Sequence, residues 1–334
     1  MRLRREVVGA AGAVAAATLL VACGGGGASQ PASVAATHSG SSGSSTATAP
    51  ATTTATTTAT THAAQAAPRP PAFPQLLPAA LGSGAVTFAP AVRWRGQTVA
   101  WITRRPGLTT LTFDQRALAL HLHSGAIDAG ALGWRYGASV GGFEKSRLVS
   151  AFNGGFRLST GAGGFAAYGR VAVPLRGGLA SIVTYADGST DIGIWKRDVP
   201  ARGQRVVSVR QNLTLLIDHG TAAADLGCLS CWGATLGGVV DPARSALGIT
   251  ADHRLVWVGG KNLTVAGLAH ALLAAHAVRA AELDINPEWV AGYLYGHRGG
   301  KGPVTPVAAL PDQHGIPGAF LSPWSRDFFT LVAR

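Results

Sequence analysis

The sequence predicts an α+β fold in which a mixed β-sheet is covered by helices and preceded by a disordered stalk. Three observations lead to this prediction. Short β-branched or aromatic segments separated by Gly, Asp or Asn turns are typical of strands. One longer segment carries apolar residues at helical spacing, and a stretch before both is almost wholly Gly, Ser, Thr, Ala and Pro. With 334 residues, 47% of them apolar, the chain can form a sizeable core.

The predicted strands are short and lie between turn residues. Six of them are Thr98–Thr103, Thr110–Phe113, Leu148–Phe152, Ala180–Tyr185, Asp191–Trp195 and Leu213–Ile217. Two more, Ser245–Thr250 and Leu255–Gly259, flank a polar turn and predict a hairpin.

The clearest predicted helix is Thr264–Val278, with Thr264 as its N-cap. Its apolar residues recur at helical spacing at Val265, Leu268 and Leu272. The segment Glu282–Asn286 follows and reads as a strand. The order hairpin, helix, strand favours a mixed sheet with a covering helix over a β-sandwich.

The N-terminus predicts export. Basic residues precede an apolar run from Val7 to Ala22, which at about 16 residues is short for a membrane span and has the layout of an export signal. Leu20-Val21-Ala22-Cys23 resembles a bacterial lipobox. Residues 1–22 are therefore a predicted lipoprotein signal peptide, with Cys23 lipidated and the body on the extracytoplasmic face of the cell membrane. The alternative is an ordinary signal peptide cut nearby, with Cys23 incidental.

Residues 23–71 are predicted to be a disordered linker after the lipidated cysteine. The stretch has no aromatic residue and no apolar periodicity, so it cannot bury enough surface to offset the entropy of ordering. All eight tryptophans lie beyond residue 72, and we therefore predict a single folded domain over residues 72–334.

The charge balance favours an anionic partner. The chain has 28 Lys and Arg against 16 Asp and Glu, a formal net charge of +12. Such a balance suits phosphate-bearing polymers, nucleic acid or an acidic lipid surface. Export removes nucleic acid from these, which leaves a sugar phosphate or an anionic glycopolymer, together with the membrane that holds the anchor.

The segment Glu282–Trp289 is the main candidate for chemistry. On an extended backbone Glu282, Asp284, Asn286 and Glu288 would share one face, and Pro287 would end the strand. These carboxylates could act as general acid, base or nucleophile, or hold a hard cation such as Ca²⁺. The alternative is a solvated strand face with a capping turn.

The cysteine and histidine patterns are less specific. Cys228 and Cys231 form a CxxC pair, which outside the cell favours a local disulfide over redox chemistry or half of a zinc site. His121 and His123 could present two imidazoles on one strand face, but no third metal ligand is evident.

Several short motifs, taken in order, resemble the phosphodiester glycosidase family. They are Ser150-Ala151-Phe152-Asn153-Gly154-Gly155-Phe156, Arg244-Ser245-Ala246-Leu247-Gly248-Ile249, an Asp252-containing turn, Leu263-Thr264 and Leu283-Asp284, with weaker support from Arg326-Asp327-Phe328. The segments 210–213, 231–233 and 282–289 resemble an exported actinobacterial branch. The family includes the enzyme that removes N-acetylglucosamine from its 1-phosphodiester (N-acetylglucosamine-1-phosphodiester alpha-N-acetylglucosaminidase).

The resemblance implies an α+β fold and hydrolysis of a sugar-1-phosphodiester. It implies that Asn153, Gly154 and Gly155 form a turn that cradles substrate, that Arg244 contacts phosphate and that Asp284 is the acidic residue of the terminal motif. Asp284 would act as nucleophile or base at the anomeric carbon, a role that could be exchanged with Glu288. Most members continue Leu-Asp with a glycine-rich run. This chain instead continues Ile285-Asn286-Pro287-Glu288, which offers Asn286 to the substrate and Glu288 as a second carboxyl.

Three functions follow from these observations. The first is a lipid-anchored phosphodiester glycosidase that trims sugar-phosphate linkages in envelope glycopolymers. The second is a non-catalytic lipoprotein that binds an anionic wall polymer on the same fold, which the departure after Asp284 favours. The third is an ordinary glycosidase that uses Asp284 and Glu288.

Overall fold

A computed structural model of the chain describes residues 73–130, 133–233, 242–299 and 304–334. All of them belong to one unit, Ala66–Arg334. The signal peptide, Cys23 and the linker predicted from the sequence lie outside the described residues, so the domain boundaries stay predictions. No helix in the described ranges is both long and apolar enough to cross a membrane.

The described residues form nineteen strands and three short α-helices. The strands are β1 Gln75–Leu76, β2 Val86–Trp94, β3 Gln97–Arg105, β4 Leu108–Asp114, β5 Leu118–His123, β6 Leu148–Asn153, β7 Phe165–Ala167, β8 Arg170–Val173, β9 Ala180–Tyr185, β10 Thr190–Ile194, β11 Val206–Gln211, β12 Leu215–Asp218, β13 Thr221–Ala222, β14 Arg244–Thr250, β15 Arg254–Gly260, β16 Ala277–Glu282, β17 Gly292–His297, β18 Val304–Ala308 and β19 Phe328–Ala333. The α-helices are α1 Pro78–Leu81, α2 Gly142–Ser146 and α3 Val265–Ala274, and short 3₁₀ turns lie at Leu158–Thr160, Leu229–Trp232 and Pro317–Phe320.

These strands build three sheets. The largest has the order β1-β2-β3-β4-β15-β14-β16-β12-β13, and the other two have the orders β10-β9-β11-β7-β8 and β18-β17-β6-β19-β5. Every pair of neighbouring strands in them is antiparallel.

One apolar core is shared by all three sheets. Leu111 and Trp257 of the largest sheet, Ile182 of the second and Phe152 and Leu331 of the third belong to the same buried cluster. Joint burial of these faces, at roughly 25 cal/mol per Å² of apolar surface, is the main force that holds the sheets against one another.

The predicted α+β class with covering helices is wrong. Helices are few among the described residues, the longest has ten residues, and the sheets are antiparallel rather than mixed. The prediction extended one local pattern, hairpin then helix then strand, to the whole domain. Strands as short as β7 and β13 contain too few residues to show the apolar–polar alternation that identifies a strand in the sequence.

That local pattern itself is confirmed. Helix α3 links β15 to β16 across β14, which pairs with both strands. Thr264 caps the helix by accepting a hydrogen bond from the Gly267 amide at 2.9 Å. The helix ends at Ala274, four residues before the predicted end, and His276 has a left-handed φ of 62°.

The strand predicted over Glu282–Asn286 is misplaced. The strand is β16, Ala277–Glu282, and residues 283–286 follow it without regular secondary structure. The alanine-rich composition of β16 has a packing reason. A Cβ on Gly248 of the neighbouring strand would already lie 3.0 Å from the Ala277 Cβ and 3.1 Å from Leu272 of α3, so only small side chains fit under the helix.

Candidate active site

Asp284 lies two residues beyond the end of β16 and is buried, with 4% of its surface exposed. The Ser245 amide donates to the Asp284 carbonyl at 2.9 Å, which fixes the backbone at the strand end. The carboxylate oxygen Oδ1 accepts hydrogen bonds from the backbone amides of Ile285 at 2.7 Å and Asn286 at 3.0 Å. The other oxygen, Oδ2, accepts from Arg326 Nη2 at 3.0 Å.

Arg326 connects Asp284 to the rest of the site. Its Nε donates to Asp128 Oδ2 at 3.1 Å, and its Nη2 donates to the Gly155 carbonyl at 2.8 Å as well as to Asp284. Its guanidinium carbon lies 4.7 Å from the ring centroid of Trp289. Four separate segments of the chain therefore meet at one side chain, which holds it in a single orientation.

Burial raises the pKa of Asp284 to about 6, because the surroundings offer the charged carboxylate little solvation. The Arg326 charge and the two backbone amides oppose this shift but do not cancel it. A carboxyl group with a pKa near neutrality can exchange a proton under ordinary conditions, as a general base must.

Asp284 faces a cavity of about 620 Å³. Polar and aromatic groups line it near the carboxylate, among them Asn286, Trp289 and Arg326. Arg157 also lines this cavity and a smaller one of about 220 Å³ that contains Asp128. Arg157 is exposed, and within the described residues its guanidinium makes no ion pair, so its charge is available to a ligand.

The Asn153-Gly154-Gly155 turn does not line this cavity; it supports the residues that do. The side-chain amide nitrogen Nδ2 of Asn153 donates to Ser245 Oγ at 2.9 Å. A Cβ on Gly154 would lie 2.1 Å from Asp327 Oδ2, and one on Gly155 would lie 2.8 Å from Arg210 Nη2. The glycines are thus required because the buried Arg210–Asp327 ion pair passes directly over the turn.

Arg244, predicted to contact phosphate, is 1% exposed and does not line the cavity. Its Nη1 donates to Glu282 Oε1 at 2.6 Å and its Nε donates to the Leu263 carbonyl at 3.0 Å. Because these acceptors occupy the guanidinium in the core, the structure brings Arg326, and not Arg244, to Asp284.

Glu288, predicted as the second carboxyl, does not line the cavity. Its side chain is 64% exposed, and its Oε1 lies 3.1 Å from His314 Nδ1. An extended backbone would place Ile285 and Trp289 on the face opposite Asn286. All three line the same cavity, so the predicted alternation does not continue beyond Asp284.

The donor set does not suit the Ca²⁺ considered from the sequence. Within the described ranges, no group of three or more His, Cys, Asp or Glu side chains could hold a metal ion. Asp284 already has the Arg326 cation 3.0 Å from its Oδ2, and that charge opposes the approach of a second cation.

The predicted disulfide is confirmed between Cys228 and Cys231, whose Cα atoms are 5.3 Å apart. The turn it closes borders the cavity through Ser230 and Gly233. Gly233 has a φ of 91°, and a Cβ there would lie 2.7 Å from the Phe156 ring. The disulfide-closed turn therefore packs directly against the cavity wall.

Sequence reasoning missed four residues of this site. Arg326 lies inside a motif of the resemblance but received no role, and Trp289 was placed on the opposite face from Asp284. Arg157 follows directly after the Asn-Gly-Gly-Phe turn, a position that could have signalled it. Asp128 carried no local signal, because only folding brings it to Arg326.

Comparisons with known proteins find a distant likeness in structure. No family model matches, and no curated protein matches. The catalytic domain of zebrafish N-acetylglucosamine-1-phosphodiester alpha-N-acetylglucosaminidase, auto-inhibited by its pro-peptide, is 16% identical with a TM-score of 0.43, covering 70% of this chain and 78% of that one. A hypothetical protein from Synechocystis is 14% identical with a TM-score of 0.37, covering 70% of this chain and 62% of that one. At this distance neither likeness identifies an activity.

Proposed function

We propose that the chain is a hydrolase that cleaves a sugar-1-phosphodiester and releases free sugar and a phosphomonoester. The observation that carries the proposal is Asp284, a buried carboxylate that faces a cavity beside a fixed arginine. Within the described residues only Arg326 donates to its Oδ2, so one lone pair of that oxygen stays available to a water molecule.

Two arginines suit the phosphate. Arg326 is held by three acceptors and cannot turn away, while Arg157 lies at the cavity edge without an ion pair within the described residues. Fixed cations of this kind stabilise the negative charge that grows on a departing phosphate, since they need no reorganisation during the reaction. Trp289 offers an aromatic face to a sugar ring.

The proposed reaction needs one carboxylate. Asp284 Oδ2 takes a proton from water, and the water oxygen forms a bond to the anomeric carbon. The bond from that carbon to the phosphate oxygen breaks, and its electron pair stays on the phosphate. Because a phosphomonoester has a second pKa of about 6, it leaves as an anion without a strong acid to protonate it. The position of Glu288 outside the cavity is compatible with this reaction.

The site of action is also part of the proposal. The basic segment, the apolar run and Cys23 support export and lipid anchoring, which would place the cavity among envelope glycopolymers. The expected result is that the wild-type chain fractionates with membranes and the Cys23→Ala variant does not. Equal membrane association of the two chains would remove the anchor from the proposal.

The decisive experiment compares Asp284→Asn with Glu288→Gln on sugar-1-phosphodiesters, measuring free sugar. Both substitutions neutralise a carboxylate, but only Asp284 lines the cavity. Loss of a general base lowers kcat by about 10²- to 10⁴-fold, so we expect that loss for Asp284→Asn and wild-type turnover for Glu288→Gln. Equal activity of all three proteins would overturn the role of Asp284.

A binding protein on the same fold is the second candidate. The observation that favours it is the full occupation of Asp284 Oδ1 by two backbone amides, an arrangement that also serves to hold a loop. This candidate predicts salt-sensitive binding of an anionic glycopolymer by the wild-type protein with no sugar released.

A further inference from the structure

A second cavity, of about 600 Å³, lies beside β5, α2 and β19. It shares no lining residue with the cavity that contains Asp284. The residues that give it its chemistry are His121, Arg135, Tyr136, Phe143 and Arg147, with Glu144 behind them.

The floor of this cavity is a fixed hydrogen-bonded cluster. Glu144 Oε1 accepts from His121 Nδ1 at 3.0 Å, His123 Nε2 at 3.1 Å and Thr330 Oγ1 at 2.6 Å. Burial alone would raise the pKa of Glu144, but the hydrogen bonds from both histidines outweigh it and lower the pKa to about 2. Glu144 is therefore an ionised acceptor.

The carboxylate of Glu144 is enclosed by groups of the protein. His123 is buried, and its Nδ1 lies 3.1 Å from the Gly137 carbonyl oxygen while its Nε2 lies 3.1 Å from Glu144. A carboxylate only accepts hydrogen bonds, so Glu144 Oε1 fixes the orientation of the side chains around it at the floor of the cavity.

Three arginines line the walls, and none of them has a carboxylate partner in the described part of the chain: Arg334 donates to the Leu118 and Asp187 carbonyls, whereas Arg135 and Arg147 lie against aromatic rings. The Arg135 guanidinium lies 5.8 Å from the Tyr136 ring centroid and 5.3 Å from that of Tyr168. The Arg147 guanidinium lies 4.5 Å from the Phe143 ring centroid. An arginine held against an aromatic ring can still direct N–H groups to an oxyanion, which makes Arg135 and Arg147 candidate ligands of an anion in this cavity.

The aromatic groups point to a sugar as the carrier of that oxyanion. Phe143 is 72% exposed at the cavity and Tyr136 forms part of its wall. An exposed aromatic ring next to a stacked arginine offers an apolar face and a cation at the same point.

We propose that this second cavity binds an acidic sugar through its carboxylate or phosphate group, with Arg135 and Arg147 as the ligands of the anion. The site is independent of the proposed hydrolysis. It would hold one unit of an anionic glycopolymer while the cavity at Asp284 acts on another unit of the same polymer, or it would bind such a polymer without any reaction.

The test is calorimetric titration of the full chain with glucuronate, glucose 1-phosphate, inorganic phosphate and neutral glucose. The variant is Arg135→Gln/Arg147→Gln, and the control is Arg202→Gln/Arg205→Gln. Arg202 and Arg205 are exposed and line neither cavity. Both double variants remove two positive charges, so a difference between them reports the position of the charge and not its loss. Asp284→Asn is titrated in parallel, with thermal unfolding of each protein recorded.

We expect the acidic sugars to bind, glucose not to bind, and the Arg135/Arg147 variant to lose at least about tenfold in affinity. The Arg202/Arg205 control should bind all the acidic sugars as the wild type does, and Asp284→Asn should bind glucuronate, which carries no phosphate, as the wild type does. Binding of inorganic phosphate alone would show an anion site without a sugar subsite and overturn the sugar part. Equal losses in both double variants, or loss of glucuronate binding in Asp284→Asn, would overturn the proposal as a whole.

Discussion

Two buried carboxylates that lie two residues apart in sequence each pair with an arginine, but one pair is enclosed by the core and the other borders a cavity. Glu282 pairs with Arg244 at 2.6 Å, and Asp284 pairs with Arg326 at 3.0 Å. The first pair is enclosed by the core, whereas Asp284 and Arg326 line a cavity. The comparison shows that burial and ion pairing do not identify an active site by themselves. Access from a cavity distinguishes the second pair.

The hydrogen bonds of the two carboxylates differ as well. Burial raises the pKa of Glu282 to about 7 and that of Asp284 to about 6. Asp284 receives two backbone amides in addition to its arginine, while Glu282 Oε2 is buried and has no hydrogen-bond partner among the described residues. The strand end therefore stabilises the carboxylate form of Asp284 more than that of Glu282.

Arg244→Ala should give the largest effect and sharpen the contrast. It leaves the enclosed Glu282 charge unpaired, which costs about 3–5 kcal/mol of unfolding free energy at pH 8. Arg326→Ala should cost less, because water in the cavity can solvate Asp284. Urea unfolding of both variants, with Arg202→Ala as control, measures the difference. Equal losses for Arg244→Ala and Arg326→Ala would contradict the distinction between the two pairs.

The second largest effect should be a pH dependence of the unfolding free energy that comes from Glu282. The pKa of Glu282 is raised from 4.5 to about 7 on folding, so between these values the folded state binds the proton more tightly. The free energy of unfolding then falls as pH rises through this window, by up to about 3 kcal/mol from this one group. Glu282→Gln should remove that fall in urea titrations from pH 4 to pH 8. An unchanged slope would mean that Glu282 does not titrate there.

The pH dependence of activity should follow the ionisation of Asp284. Because Asp284 must be ionised to accept a proton, kcat/KM should fall about tenfold per pH unit below about 6 and level off above it. The phosphodiester substrate stays ionised over this range and does not contribute. A profile that is flat between pH 5 and pH 7 would exclude Asp284 as the base.

Trp289→Phe should have the smallest effect. Phenylalanine keeps an aromatic face beside Arg326 and loses only part of the ring area, which is worth about 0.5–1 kcal/mol. We expect KM to rise less than about fivefold with kcat unchanged. Trp289→Ala serves as the stronger comparison, and identical kinetics of the two variants would show that the ring does not contact substrate.

The sequence predicted those features that depend on neighbours along the chain. The hairpin of β14 and β15, the Thr264 cap, the Cys228–Cys231 disulfide and the presence of Asp284 at a strand end were all predictable from local patterns. Arg326 could not be assigned in the same way, because 42 residues separate it from Asp284. Nothing near either residue indicates that they pair.

Two differences between the sequence-based expectations and the structure have a common physical cause. Arg244 opens a strand and looked available, but the fold turns its guanidinium toward Glu282. The predicted helix extended to Val278, but Ala277 and Val278 begin β16, on which α3 packs. In both cases tertiary packing decided against the local preference.

The position of β19 makes closure of the third sheet depend on contacts remote in sequence. Residues 328–333 lie between β6 and β5, and among the described residues β5 pairs with no other strand, so β5 joins the sheet only when β19 is in place. Arg326, which orients Asp284, immediately precedes the same segment. Contacts this remote in sequence are slow to form, so closure of the third sheet and the placement of Arg326 beside Asp284 are expected late in folding.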